Sequence, residues 1–190
     1  MPLVRDVGRF AVIRYGFIAK CASLRDVLLV AGGMLSSETD SEIVAHLLAR
    51  ALPEVDQDLA AAMQSVCPRL EGAFTLVAMD PSDPSLVVGA RRNSPLVVGL
   101  GEGENFLASD VAAFVDHTRN ALELGQDQIV VVRADGVVVR DFAGTQVEAK
   151  PYVVDWDASA AEKGGYDLFM LKEIAEQPKA VADALRGRID

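Results

Sequence analysis

The side chains best suited to chemistry in this 190-residue sequence are two cysteines, two histidines and several closely spaced aspartates. Cys21 follows Lys20, and a positive charge next to a thiol lowers its pKa, but one neighbouring charge does not identify a nucleophile. Cys67 shares a predicted helical stripe with Met63 and Leu70, so we interpret it as a small buried hydrophobe. Because the cysteines show neither a CxxC spacing nor a nearby histidine, neither a disulfide scaffold nor a zinc site is indicated.

The other candidates have simple structural interpretations. His46 lies in a predicted helix between apolar residues, so we interpret it, and likewise His117, as a structural or surface residue. The glycines at positions 99, 101 and 103 do not form GxGxxG and are typical of a hairpin loop. Two acidic pairs flank turns, where aspartate supports the local backbone rather than acid–base chemistry: Asp80 with Asp83, and Asp155 with Asp157. These residues by themselves identify an α+β domain with two sheets and no reaction.

Composition narrows the class of protein. The formal net charge is −10 and the sequence pI is about 4.7, which argues against a nucleic-acid binder with its basic face. A hydrophobic fraction of 51% is sufficient for a core. No apolar run has the roughly 18 residues that a membrane span needs. The first residues lack the apolar stretch of a signal peptide, so we expect a cytoplasmic protein that does not bind membranes.

The elements that position these residues begin with a short buried strand predicted over 9–13. A helix is predicted over 22–31, with a stop at Gly32 and Gly33. Thr39 and Glu42 fit a capping box at the start of the next helix.

That helix ends near Pro53, and a further helix follows Asp56. Two short helical pieces are predicted over 110–124. The strands are predicted over 73–79, 86–91, 95–100 and 106–109, and in a hairpin of 128–132 with 136–140 around Asp135-Gly136. Their continuous apolar runs favour sheets covered by helices.

The sequence changes character near residue 150. We predict one domain over 1–150 and a linker with a following segment over 151–190. Residues 155–165 are polar and contain glycine, which is typical of an extended linker. Helices are predicted over 167–176, before Pro178, and over 179–186.

Five segments of the chain form recognisable motifs: SETDSEIVAHLL (37–48), LEGAF (70–74), GARRNSPL (89–96), FLASD (106–110) and KGGYDLFMLKEIAEQP (163–178). With these segments the chain resembles the glutaminase domain of the glutamine–fructose-6-phosphate aminotransferases, which form glucosamine 6-phosphate. The similarity is nearly continuous from about residue 36 and weaker over 9–34. In the family the last segment leads into a sugar-isomerising domain, so 151–190 resembles a linker and the start of that domain.

The resemblance implies an N-terminal-nucleophile amidohydrolase, in which an N-terminal cysteine attacks the glutamine amide and its own α-amino group acts as the base. This sequence starts Met1-Pro2, and neither Cys21 nor Cys67 can supply that group. The family segment whose arginine holds the glutamine carboxylate is also absent. We therefore expect no catalytic residue in this chain, and the resemblance implies two substrate contacts, Gly16 and Asp40.

Gly16 and Asp40 match two binding positions of the family. The family motif His-Asn-Gly-Ile falls at 14–17, where its asparagine side chain and glycine amide form an oxyanion hole. Gly16 keeps the backbone donor, but Tyr15 replaces the asparagine, a loss of about 3–4 kcal/mol of transition-state stabilisation. Asp40 matches the aspartate that binds the α-ammonium of glutamine; alternatively, it is a helix-start carboxylate favoured by the helix dipole.

The fold implied is an α+β, four-layer αββα sandwich of the N-terminal-nucleophile-hydrolase type, truncated at its N-terminal side and followed by a helical C-terminal tail. No metal or organic cofactor is implied. The first hypothesis is a truncated relative without glutaminase activity, for which glutamine is a ligand only if residual binding survives. The second is an interaction module that forms a homodimer, or associates with an intact aminotransferase, through exposed sheet edges. The third and weakest is different chemistry at Cys21 or Asp40.

Overall fold

The computed structural model describes residues 3–4, 11–155 and 164–186. The helices are α1 (Cys21–Val30), α2 (Asp40–Ala51), α3 (Leu59–Val66) and α4 (Phe169–Leu185), with 3-10 turns at Leu52–Val55, Cys67–Arg69 and Val111–Ala113. The strands are β1 (Leu3–Val4), β2 (Ala11–Ala19), β3 (Glu71–Met79), β4 (Val87–Arg92), β5 (Val97–Leu100), β6 (Asn105–Ala108), β7 (Asn120–Glu123), β8 (Gln128–Arg133), β9 (Gly136–Asp141) and β10 (Lys150–Val153).

The strands form two antiparallel sheets. The first sheet has the order β1-β2-β3-β4-β8-β9 and the second has the order β10-β7-β5-β6. The chain divides into two compact units, Met1–Asp155 and Trp156–Asp190, so both sheets belong to the first unit and α4 belongs to the second. Within the described ranges, every helix is too short or too polar to cross a membrane.

Two apolar clusters hold the first unit together. The first lies between the helices and the first sheet, where the helical stripe of α2 packs with α3 onto the strands; α2 contributes Ile43, Val44, Leu47, Leu48 and Ala51. The second lies between the sheets, where Leu96 and Val98 meet Val130, Val132 and Val139. The predicted α+β sandwich with two antiparallel sheets is therefore confirmed.

The first sheet is covered unevenly. Ile13, Tyr15 and Phe17 alternate along β2 and are 49%, 64% and 60% exposed, respectively. Tyr15 stands opposite Thr75 of β3, whose hydroxyl donates to the carbonyl of Pro95 just before the second sheet begins. The exposed residues of β2 therefore lie on the same face as Thr75, beyond the part of that face that the second sheet covers.

Three elements differ from their predictions. β2 does not end at residue 13, because β3 pairs with it from Ala11 as far as Ala19; residues 9 and 10 lie outside the described residues. Residues 120–123, predicted within a helical stretch, form strand β7 between β5 and β10. The helices predicted on either side of Pro178 are one helix, α4, which tolerates the lost backbone donor. The linker predicted over 155–165 lies outside the described residues except at its two ends.

Candidate functional site

Asp40 lies where the end of β2 meets the start of α2. It is the first residue of α2, directly after Thr39, the N-cap residue. The backbone N–H of Ile18 in β2 donates to Asp40 Oδ2, with an N···O distance of 3.4 Å. This contact joins two elements that are 22 residues apart in the chain.

Arg14 connects the two residues predicted to bind substrate. Its Nη1 lies 3.6 Å from Asp40 Oδ2 and also donates to the carbonyl oxygen of Gly16. The side chains of Arg14 and Asp40 are only 19% and 23% exposed. The structure thus brings Gly16 and Asp40 together around one guanidinium. Sequence reasoning did not select Arg14, although its place at the first position of the family's His-Asn-Gly-Ile motif was the available signal.

The backbone at Gly16 requires glycine. Its φ is +91°, a left-handed conformation, and a Cβ there would collide with the carbonyl oxygen of Ala73 on β3. The neighbouring Tyr15 projects from the opposite face of β2 to Arg14, because side chains alternate along a strand. Tyr15 is consequently exposed to solvent, on the face away from Asp40.

Cys21 does not have the lowered pKa of a nucleophilic thiol. Burial raises its pKa to about 12, helped by a hydrogen bond to Asp40 and by the charge of that carboxylate. The ammonium of Lys20, whose charge alone did not identify a nucleophile, pairs with Glu71 at 2.8 Å. Cys67 is completely buried, as predicted, and burial raises its thiol pKa as well.

The loop before α2 is held by Glu42. Its carboxylate accepts four hydrogen bonds, from the backbone N–H and the hydroxyl of both Ser36 and Ser37, at 2.6–2.8 Å. Thr39 makes no side-chain cap bond, so the predicted capping box is wrong: the carboxylate reaches further back than Thr39. This anchor fixes the path of the chain into Asp40.

The remaining candidates are structural. Asp80 accepts from the backbone and hydroxyl of Ser82, and Asp83 pairs with Arg133 at 2.7 Å. The exposed ring of His117 stacks on an aromatic ring, and His46 is half-buried on α2. Asp157 lies outside the described residues. Among the residues that the structure describes, no group of three or more histidine, cysteine, aspartate or glutamate side chains could hold a metal ion.

Comparison with known proteins gives the same family throughout. A profile described as a glutamine amidotransferase domain matches residues 1–116. The glutamine–fructose-6-phosphate aminotransferase (isomerizing) of Streptomyces coelicolor is 63% identical over 189 residues, covering 100% of this chain and 31% of its own length. That of Corynebacterium diphtheriae is 55% identical over 190 residues, covering 100% of this chain and 30% of its own length. The chain thus spans less than a third of these curated relatives.

Solved structures support the fold. Glutamine phosphoribosylpyrophosphate amidotransferase from B. subtilis, complexed with ADP and GMP, superposes with a TM-score of 0.61 at 19% identity, over 75% of this chain and 31% of that one. A structure described as the allosteric regulatory enzyme of purine biosynthesis gives a TM-score of 0.62 at 21% identity, over 75% of this chain and 30% of that one. With 116 of its 190 residues matched by the family profile, this chain belongs to the glutamine amidotransferase domain family.

Proposed function

We propose that this chain is the glutamine-handling part of a glutamine–fructose-6-phosphate aminotransferase-type protein, and that its own residues do not hydrolyse glutamine. The glutamine-handling part of this proposal rests on the 63% identity to the Streptomyces coelicolor aminotransferase along the whole of this chain. Formation of glucosamine 6-phosphate belongs to a protein of the full length of that relative. A cytoplasmic location stays a prediction.

Asp40 and Gly16 are the proposed contacts for glutamine. Asp40 supplies a carboxylate for the α-ammonium group, and its partial exposure leaves it reachable from solvent. Gly16 supplies a backbone donor in a conformation that only glycine adopts without strain. Their common contact with Arg14 supports a single site on the α2 end of β2.

Three side chains support the absence of hydrolysis. Tyr15 projects away from Asp40 and cannot replace the carboxamide of the family's asparagine; the loss of one such donor slows acyl transfer by about 100- to 1000-fold. Cys21 and Cys67 both have raised pKa values, so both are protonated at neutral pH. A protonated thiol is a poor nucleophile toward an amide.

Ammonia release from glutamine by the purified chain tests this proposal. We expect no release above the buffer rate, measured with a coupled glutamate dehydrogenase assay beside the Streptomyces coelicolor aminotransferase as the positive control. Turnover within tenfold of that control, abolished by Cys21→Ala or Cys67→Ala, would refute the inactive assignment. The family assignment would stand in either case.

A second function is favoured by the exposed apolar face of β2. Ile13, Tyr15 and Phe17 form a row of large side chains next to one another on one side of the strand. Such a row suits a non-catalytic module that forms a homodimer or binds an intact aminotransferase. Light scattering of the chain, and of the variant carrying Tyr15→Ser and Phe17→Ser, tests this. A wild-type chain that is monomeric at high concentration and does not comigrate with the aminotransferase in size-exclusion chromatography would exclude it.

A further inference from the structure

The guanidinium of Arg14 stands where a cationic ligand of Asp40 would stand. We propose that Arg14 is an internal cation that contacts the carboxylate of Asp40 and competes with ammonium and guanidinium ligands for it. The identity of the competing ligand, the α-ammonium of glutamine, rests on the proposed function; the contact of Arg14 with the carboxylate does not.

The carboxylate of Asp40 faces one backbone donor and one cation. The backbone N–H of Ile18 donates to Oδ2 with an N···O distance of 3.4 Å, and Arg14 Nη1 lies 3.6 Å from the same oxygen. A carboxylate accepts about four hydrogen bonds. The N–H of Ile18 therefore leaves acceptor capacity on this carboxylate for a cationic group, and the guanidinium of Arg14 lies beside it.

Arg14 fills this position imperfectly. Its Nε is buried and has no hydrogen-bond partner among the described residues, and its contact with Asp40 is longer than a hydrogen bond. A bidentate guanidinium–carboxylate pair would use two parallel hydrogen bonds instead. The hold on Asp40 thus depends on Arg14 being part of the chain, which gives it a high effective concentration. Removing the guanidinium should open the site to a free cation.

The test uses the 15N-labelled full chain and the amide signal of Ile18, which reports on Asp40 because it donates to that carboxylate. Two neutral variants, Arg14→Met and Arg14→Gln, are compared with the wild type and with Arg14→Lys, which keeps the charge. A double variant that combines Arg14→Met with Asp40→Asn also replaces the anionic carboxylate of residue 40 by a neutral carboxamide. Each protein is titrated with methylguanidinium, with L-glutamine and with 4-carbamoylbutanoate, which is glutamine without its α-ammonium.

We expect the neutral variants to bind methylguanidinium and L-glutamine about 5-fold more tightly than the wild type, the upper end for one partly exposed charge pair. Arg14→Lys and the double variant should show no gain, and 4-carbamoylbutanoate should gain nothing in any protein. Folded spectra of both neutral variants without a gain for methylguanidinium would overturn the proposal. A gain for methylguanidinium without one for glutamine would support the internal cation and refute the glutamine site.

Discussion

Replacing Glu42 by glutamine should destabilise the first unit strongly. Glu42 is 2% exposed, the lowest value for any charged residue that the structure describes. Its two carboxylate oxygens each face two donors, Ser36 on one side and Ser37 on the other. In Glu42→Gln one oxygen becomes an NH₂ group, which points a donor at two donors. The variant therefore loses accepted hydrogen bonds and buries unsatisfied groups.

The pKa of Glu42 gives the magnitude and its pH dependence. Burial acts to raise this pKa, but the hydrogen bonds from Ser36 and Ser37 outweigh burial and lower the pKa from 4.5 to about 2. This difference is equivalent to about 3 kcal/mol of folding free energy at neutral pH. Because the folded-state pKa is the lower one, that stabilisation is complete above pH 4.5 and is lost as the pH falls to about 2.

Urea unfolding followed by circular dichroism at pH 7 and pH 3 measures this effect. Glu42→Gln should lower the free energy of unfolding by about 3 kcal/mol at pH 7 and by roughly 1.5 kcal/mol at pH 3. Glu38→Gln is the matched control, because Glu38 is an exposed glutamate of the same loop and should stay within about 0.5 kcal/mol of the wild type. An equal loss at both pH values, or none at pH 7, would refute the reasoning.

The other predictions use the same urea assay at pH 7. Arg92→Ala should lower the free energy of unfolding by about 2–3 kcal/mol, because Arg92 Nε donates to Asp127 at 2.7 Å and its guanidinium lies over two phenylalanine rings. Arg92→Lys should retain only part of that stabilisation. Gly16→Ala should lower the free energy of unfolding by more than about 3 kcal/mol, because the added Cβ collides with the β3 backbone. Gly103→Ala is the control, since Gly103 also has a positive φ but lies in open space, and it should cost only about 1–2 kcal/mol. Equal losses in the two variants would contradict the clash. Asp58→Ala should cost about 1 kcal/mol, because Asp58 caps α3 through two backbone N–H groups, and an unchanged midpoint would contradict that role.

The parts of the fold that were predictable are those that depend on nearby residues. The helical spacing of Ile43, Leu47 and Ala51 predicts the buried stripe of α2, and all three are buried. Asp135-Gly136 predicts the hairpin between β8 and β9, whose register places Arg133 opposite Gly136. Each of these signals lies within a window of about 12 residues, so no distant partner is needed to interpret it.

The parts that were not predictable depend on distant partners. β7 is a short strand because β5 and β10 pair with it on its two sides, and four residues of mixed polarity carry no such information. β2 continues to Ala19 because β3, which starts more than 50 residues later, pairs along its full length. Periodicity within one segment does not contain these pairings.

The candidate site was partly predictable. Family motifs indicate Gly16 and Asp40. The position of Arg14 in the His-Asn-Gly-Ile motif draws attention to it, but its contacts with both residues depend on the fold and are not contained in the sequence pattern. The spacing of Thr39 and Glu42 predicts a capping box, but Glu42 instead accepts from Ser37 and Ser36, five and six residues before it, and no capping pattern has that spacing.

Strand β2 separates the residues that pack the core from those of the candidate site. Its buried contacts come from Val12 and Ile18, which are 0% and 5% exposed under the helices. Tyr15 lies on the opposite, uncovered face, so a substitution there changes no core contact. Arg14 shares the face of Val12, but near the start of α2, where a charged group remains partly solvated. Core packing and the proposed glutamine contacts therefore involve different residues of the same strand, and we expect substitution in the second set to leave the first intact.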